Sequence, residues 1–379
     1  LDCGSRGPPF EPGRRYHLAI RARDKVGTNP AQAHQAPMLS DFSLIALLAL
    51  SVLAAATILA AGLRMTPLAD RIADRTGLGE AIVGAVLLGA ATSASGTVVT
   101  ATAALNDLPS LAVSNSVGGI AAQTAFLALA DLLYRKANLE HAAAEIASVF
   151  QAGVLIALLS VPLLAIAGPE VAVLGVHPAS LVLVAGYLAG VLAARRVRET
   201  PMWHPVETDR TELDTPDEPR RPARHVVGDL LRFAALLAAM GVAGWLLAEA
   251  AGALMGRFAL SGSLVGALMT AVLTSLPELV TTVAAVRRGA LQLAIGGIIG
   301  GNTFDTLFLT LADVLYRDGS IYHAIGPGDA FWVTTGLLMT AILLLGLVRR
   351  QERGPARIGW ESATILLVYA GAIAVQAAL

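Results

Sequence analysis

Runs of mostly apolar residues, each near the length of a bilayer-crossing helix, recur along the chain and predict ten transmembrane spans. They lie at 42–63, 78–104, 110–134, 143–167 and 178–197, then at 228–252, 259–286, 290–316, 329–348 and 358–378. A crossing helix needs about 20 such residues. Between the two sets lies a polar break, 198–227, that carries clustered charge and proline, and it reads as a linker. The organisation expected is a polar tail (1–37), a first five-helix half (38–197), the linker (198–227) and a second five-helix half (228–379).

The halves repeat each other at an offset of 182 residues: FLALADLLYR (126–135) returns as FLTLADVLYR (308–317). VGA at 83–85 returns at 265–267, Thr92-Ser93 as Thr274-Ser275, and Gly118-Gly119 as Gly300-Gly301. An odd number of spans per copy forces opposite insertion. The fold class expected is therefore an all-α polytopic membrane protein with about ten transmembrane helices as two inverted five-helix repeats. Such repeats place a transport site at midplane, where the copies meet.

Composition supports this reading. Hydrophobic residues make up 55% of the chain and charged residues 15%, against roughly a quarter charged in soluble domains. Net charge is −1, which gives no attraction to nucleic acid, and the single cysteine, Cys3, excludes an intrachain disulfide or a thiolate metal site. Basic residues set the orientation. Arg64, Arg71, Arg75, Arg135, Lys136, Arg287, Arg288, Arg349 and Arg350 fall on the linker's side, whereas the opposite connections carry only Arg257 and Arg317. The linker is thus expected to be cytoplasmic, with both ends of the bundle outside, in a plasma (inner) membrane. The tail carries six basic residues and no signal-peptide core, and Met38 stands just before the first apolar run, so the working chain is expected to start at or near Met38.

Two acids lie deep in the spans, Glu278 and Asp305, with no Lys or Arg at their depth. An intramembrane charge costs at least ~2.5–3.5 kcal/mol and needs a partner. A bound cation or a proton supplies it; two protonated carboxyls packed by hydrogen bonds are the plain alternative. Pro277, after Thr274 and Ser275, removes a backbone donor and frees carbonyls beside Glu278. Four glycines in GGIIGGNTFD (296–305) weaken the helix before Asp305, and pairs four apart also serve close helix packing. Carbonyls, hydroxyls and carboxylates are the ligands that Ca2+ or Na+ takes. Asp131 with Arg135, and Asp313 with Arg317, are four apart and expected to pair along their helices. Glu80, Glu145 and Glu249 are expected at wet membrane edges, and the seven histidines in loops.

The segment TSLPELVTTVAAVRRGALQLAIGGIIGGNTFDTLFL (274–309) resembles the second α-repeat of sodium/calcium exchangers, in the calcium/cation antiporter superfamily, and 92–127 is similar to its inverted partner. The resemblance implies that Glu278, the acid of the T-S-x-P-E motif, is a principal Ca2+ ligand beside the Thr274 carbonyl. It implies that Ser275 and Asp305, 27 positions after Glu278, line the Na+ sites. The first-half matches are Thr92, Ser93 and Gln123. This chain departs from the pattern at Gly96 (for the first-repeat Glu), at Ser95 (for Pro), at Gly119 and Gly301 (for Ser) and at Gly297 (for Asn), while Asn115 keeps the family Asn.

The function expected is a secondary antiporter that moves Ca2+ or a related cation against Na+ or H+, with inorganic cations and membrane lipid as partners and no cofactor. A monovalent cation/proton antiporter is the nearest alternative, and a non-transporting scaffold or sensor the alternative of another class. An enzyme is not expected, because no histidine lies in a span to activate a nucleophile and no phosphate loop is present. Oligomeric state is not readable from the chain.

Overall fold

The computed structural model describes residues 37–76, 92–134, 136–143, 145–211, 226–354 and 358–378. The expectations for the tail, for the start of the second span (with Glu80), for Arg135 and for the linker's charged stretch lie outside the described residues. Among the described residues, everything regular is helical except one isolated bridge, Val173 with Val176. The first half contains α1 (Leu44–Thr76), α2 (Ala94–Leu105), α3 (Pro109–Asp131), α4 (Ile146–Ala167) and α5 (Pro178–Glu199). The second contains α6 (Val226–Phe258), α7 (Gly262–Thr274), α8 (Leu276–Arg288), α9 (Leu291–Asp305), α10 (Leu307–Leu315), α11 (Pro327–Arg349) and α12 (Trp360–Ala378).

Among the described residues, counting α9 with α10 as one span, 8 helices are long and apolar enough to cross a membrane, and α7 with α8 make a ninth that bends by 47°. Ten spans are not reached among the described residues, since the expected span 78–104 is described only over α2, 12 residues long. The bend has a local cause. Pro277 sits in the first turn of α8, and Ser275 leaves helical geometry at φ −93°, ψ 7°. Ser93, at the same point of the first repeat, has φ −86°, ψ 4°. Ahead of the break, Val265–Thr270 is wound as a π-helix, a loosened geometry that frequents functional sites.

The repeat is visible in single hydrogen bonds. Asp131, ending α3, accepts from the backbone N–H of Leu139 (2.7 Å) and, from the other half, of Gly359 (3.2 Å). Asp313, 182 residues on, accepts from Ile321 (3.3 Å) and, from the first half, His177 (2.7 Å). Each partner is displaced by the same offset. Exchange of equivalent contacts between two copies is what a two-fold axis produces.

At the centre, α3 is buried from Leu111 to Ala128, and α2, α7, α11 and α12 pack around it. Its sequence explains this, since Ala, Gly, Ser and Thr allow neighbouring backbones to come close. The pair α1 and α6 packs through Ala54, Ile58, Ala61 and Met65 against Met240, Ala243, Leu247 and Ala248, in a cluster separate from the main core. Mirrored glycines bring this pair against the motif segments. A Cβ at Gly62 would stand 2.6 Å from Pro277 Cβ, and one at Gly244 2.6 Å from the Ser95 carbonyl oxygen.

Several expectations about polar residues are corrected here. No Asp313–Arg317 ion pair forms among the described residues, because both Asp313 oxygens already accept buried donors that join two helices. Glu249 is not at a wet edge: it is buried and accepts from Met38 N–H (2.8 Å) and Asn106 (2.9 Å). His141 and His177 lie in connections but are buried. The glycines of 296–301 do not interrupt their helix, which breaks after Asp305 instead. Gly297 and Gly300 have open space where a Cβ would stand, so close packing is not their role in this conformation.

Candidate ion site

Four helix ends and one helix middle converge on a single small space. The broken segments deliver Ser93, before α2, and Ser275, between α7 and α8. Glu278 lies in the first turn of α8, Asp305 ends α9, and Gln123 comes from the middle of α3. All five are buried. Ser93 Oγ donates to Asp305 Oδ1 (2.7 Å), and Gln123 Nε2 donates to Asp305 Oδ2 (2.8 Å) and to Ser275 Oγ (3.3 Å). Ser116 Oγ donates to the Asp305 carbonyl (2.8 Å), which ties α3 to the break between α9 and α10. The Thr92 hydroxyl donates to Glu278.

Gln123 and Asp305 are equivalent under the repeat, so their hydrogen bond lies across the two-fold. The structure thus brings Thr92, Ser93, Gln123, Ser275, Glu278 and Asp305 together. Thr274 is also at the site, but its hydroxyl turns back to the carbonyls of Thr270 (2.9 Å) and Ala271 (3.2 Å).

The cavity between them has a volume of about 10 Å³, lined among others by Ser93, Asn115, Gln123, Ser275, Glu278 and Asp305. That is about the room one water-sized sphere needs. Three oxygens of lining residues have no hydrogen-bond donor: Glu278 Oε2, Gln123 Oε1 and Asn115 Oδ1. Buried polar atoms are almost always satisfied, by protein, water or an ion. The amide orientations follow from their neighbours. Asn115 Nδ2 donates to the Gly96 carbonyl (3.2 Å) and Thr100 (3.1 Å), leaving its oxygen over. An all-oxygen set with two carboxylates suits a hard cation. Among the described residues, no group of three or more His, Cys, Asp or Glu is placed to hold a metal, so any ligand set here draws on hydroxyls, amides and carbonyls.

Four lining residues were absent from the expected site: Gly96 and Gly119, both departures from the motif, and Asn115 and Phe308. Asn115 had a signal, as an amide deep in the span 110–134. Phe308 had none: its ring edge comes within 3.0 Å of where a Cβ on Gly96 would stand, filling the space beside the first motif.

The sodium/calcium exchanger protein model matches residues 46–194 and 229–378, one match in each half. The chain belongs to the sodium/calcium exchanger family. This is a family of transporters, and the apolar helices make the chain an integral multi-pass membrane protein. The chain is 33% identical over 110 residues to the putative antiporter CaxA of Alkalimonas amylolytica, covering 28% of this chain and 34% of that protein. Inner membrane protein YrbG of Escherichia coli (strain K12) is 32% identical over 118 residues, 31% of this chain and 35% of the relative. Sodium/calcium exchanger MaX1 of Methanosarcina acetivorans is 31% identical over 108 residues, 28% and 29%. The matched stretch spans about a third of these relatives' length. Among solved structures, the sodium-calcium exchanger NCX_Mj superposes with a TM-score of 0.57 at 17% identity, over 88% of this chain and 99% of that one. Native YfkE gives 0.57 at 13% identity, over 88% and 92%. These likenesses show the fold.

Proposed function

We propose that the exchanger is a secondary antiporter that carries a hard cation, Ca2+ by first expectation, against Na+ or H+ by alternating access. The observation that carries this is the set of donorless oxygens, Glu278 Oε2, Gln123 Oε1 and Asn115 Oδ1, around one cavity that also holds the Asp305 carboxylate. Glu278 and Asp305 together balance one divalent ion. A charge-neutral site is what a cation needs to dwell in hydrocarbon. Glu278, Asp305, Gln123, Ser93, Ser275, Thr92 and the Thr274 carbonyl are the ligand shell in this reading, with Asn115 added.

Movement is assigned to α1 and α6. A small cluster that also takes in Ala94 and Val99 of α2 joins them to each other, and mirrored glycine contacts at Pro277 and Ser95 hold them beside the site. Sliding this pair would expose the cavity to one side and then to the other. The linker is cytoplasmic in this account, following the basic residues of the connections.

Gly96 favours a second reading on one specific ground. The first-repeat carboxylate is missing and Phe308 fills its space, which leaves two acids rather than three charges or more. A monovalent cation exchanged for a proton on Glu278 or Asp305 needs no more. Flux into proteoliposomes, measured for Ca2+ and for Na+ with and without an imposed pH gradient, separates the two. Ca2+ uptake driven by Na+ supports the first reading. Uptake that runs only on the pH gradient supports the second, and no cation flux in either arrangement would sink both.

A further inference from the structure

The repeat supplies its own control for a second buried cluster. At one end of the two-fold, Tyr322 Oη lies 2.9 Å from Ser180 Oγ, which donates to Asp313 (2.7 Å), and Ala179 stands next to that serine. The equivalent positions at the other end are Glu140, Ser362, Asp131 and Glu361. The same scaffold therefore carries two extra carboxyls at this end only.

Both are out of water, with Glu140 1% and Glu361 0% exposed. Ser362 Oγ donates to Glu140 Oε1 at 3.4 Å, whereas Glu140 Oε2 and both Glu361 oxygens have no donor. The two carboxyls are within hydrogen-bond reach of each other. Room for the Glu361 side chain comes from two glycines. A Cβ on Gly346 would stand 2.5 Å from Glu361 Cγ, and one on Gly359 would overlap its carboxylate.

Among the described residues, the charges facing this pair are few. Asp131 adds a third negative charge, already occupied by two backbone donors. Arg349 acts on Glu361 at a distance, its guanidinium lying 5.7 Å over the Trp360 ring, without an ion pair to it among the described residues. His141 points elsewhere, to the Arg350 carbonyl and Thr208. Two ionised carboxylates in contact, away from water and without a cation, repel strongly, and pairs of this kind hold one proton between them.

We propose that Glu140 and Glu361 form a proton-binding site, the two carboxyls sharing one proton, distinct from the ion cavity. Burial, reinforced by the charges of Asp131 and Glu361, pushes the Glu140 carboxyl well above the ordinary carboxylate range. The site has a mechanical connection to transport. Asp131 ends α3, the helix that carries Gln123, about 12 Å away at 1.5 Å per residue. Glu361 lies in the first turn of α12, which packs on α3. Loss of the proton sets two like charges against each other between these elements, so pH acts on the helix that lines the cavity. The inference does not depend on which cation the cavity takes.

Infrared spectra of the purified full chain, recorded through a pH titration, test it. The variants are Glu140→Gln, Glu361→Gln, and the double change Glu140→Tyr with Glu361→Ala. The double change installs the residues of the mirrored site, a combination this scaffold already accommodates. The expected result is a protonated-carboxyl stretch in the wild type that persists above the ordinary carboxylate range, is shifted or weakened in each single variant, and loses the pair's share of its intensity in the double variant. If single variants fail to fold, the double variant gives the same comparison. A carboxyl spectrum unchanged by removing these glutamates would overturn the proposal. So would a band abolished by Na+ at constant pH in a Glu278→Gln background, because the pair would then be a cation site.

Discussion

The edge of the Phe308 ring stands 3.0 Å from the place a Cβ on Gly96 would occupy, while Glu278, the repeat-equivalent of Gly96, points its carboxylate into the cavity. The pseudo-symmetric site is thus asymmetric in its charge: one copy keeps the acid and the other fills the space with an aromatic ring. Restoring the acid alone should be resisted sterically. Gly96→Glu is expected to lower stability by about 1–3 kcal/mol, as overpacked cores do, and Gly96→Glu with Phe308→Ala is expected to recover much of that loss. Thermal melts of the three proteins in detergent check this. Equal melting of the single and double variants would mean that the ring does not guard the position.

Asp313 holds three buried donors: the N–H groups of His177 and Ile321 and the hydroxyl of Ser180. Each donor left unpaired costs about 1–3 kcal/mol. Asp313→Ala should therefore destabilise the protein by more than about 2 kcal/mol, whereas Arg317→Ala should leave its melting nearly unchanged. The reverse ranking would restore the helix-surface ion pair that this structure lacks.

Stability should also respond to pH through Glu140. Its carboxyl titrates well above its usual value in the folded protein. The stability it contributes is fully present below the ordinary carboxylate value and is lost as pH rises through the raised one. The melting temperature is expected to fall as pH is raised through that range, and Glu140→Gln, which mimics the protonated form, should flatten the fall. A wild type and variant with parallel pH profiles would remove Glu140 from the account.

Much of this architecture is legible in the chain because the membrane simplifies the code. Apolar runs of the right length mark the helices, and the 182-residue offset alone pairs Ser93 with Ser275 and Gln123 with Asp305. What stays hidden depends on groups brought together from afar. Nothing local to Gly96 announces that Phe308 will fill its space. Asp313 has an arginine four residues on and invites a local pairing, yet backbone donors of two connections claim it first. Glu140 lies in a connection and Glu361 at a helix start, positions where acids ordinarily meet water, and only the packing of α12 on α3 removes that water. The glycines before Asp305 suggested a weakened helix, but without a proline there the backbone hydrogen bonds persist. The break falls one residue after Asp305 instead, where the Ser116 hydroxyl occupies the Asp305 carbonyl.

The central claim is that Glu278 is a ligand of the transported cation. The most direct measurement is uptake of radiolabelled Ca2+ into Na+-loaded proteoliposomes, wild type beside Glu278→Gln at matched reconstitution and folding. The account predicts Na+-driven uptake in the wild type and its loss in the variant, because the amide keeps the size of the side chain but removes its charge. Unchanged uptake in Glu278→Gln would contradict it and move the ion elsewhere in the molecule.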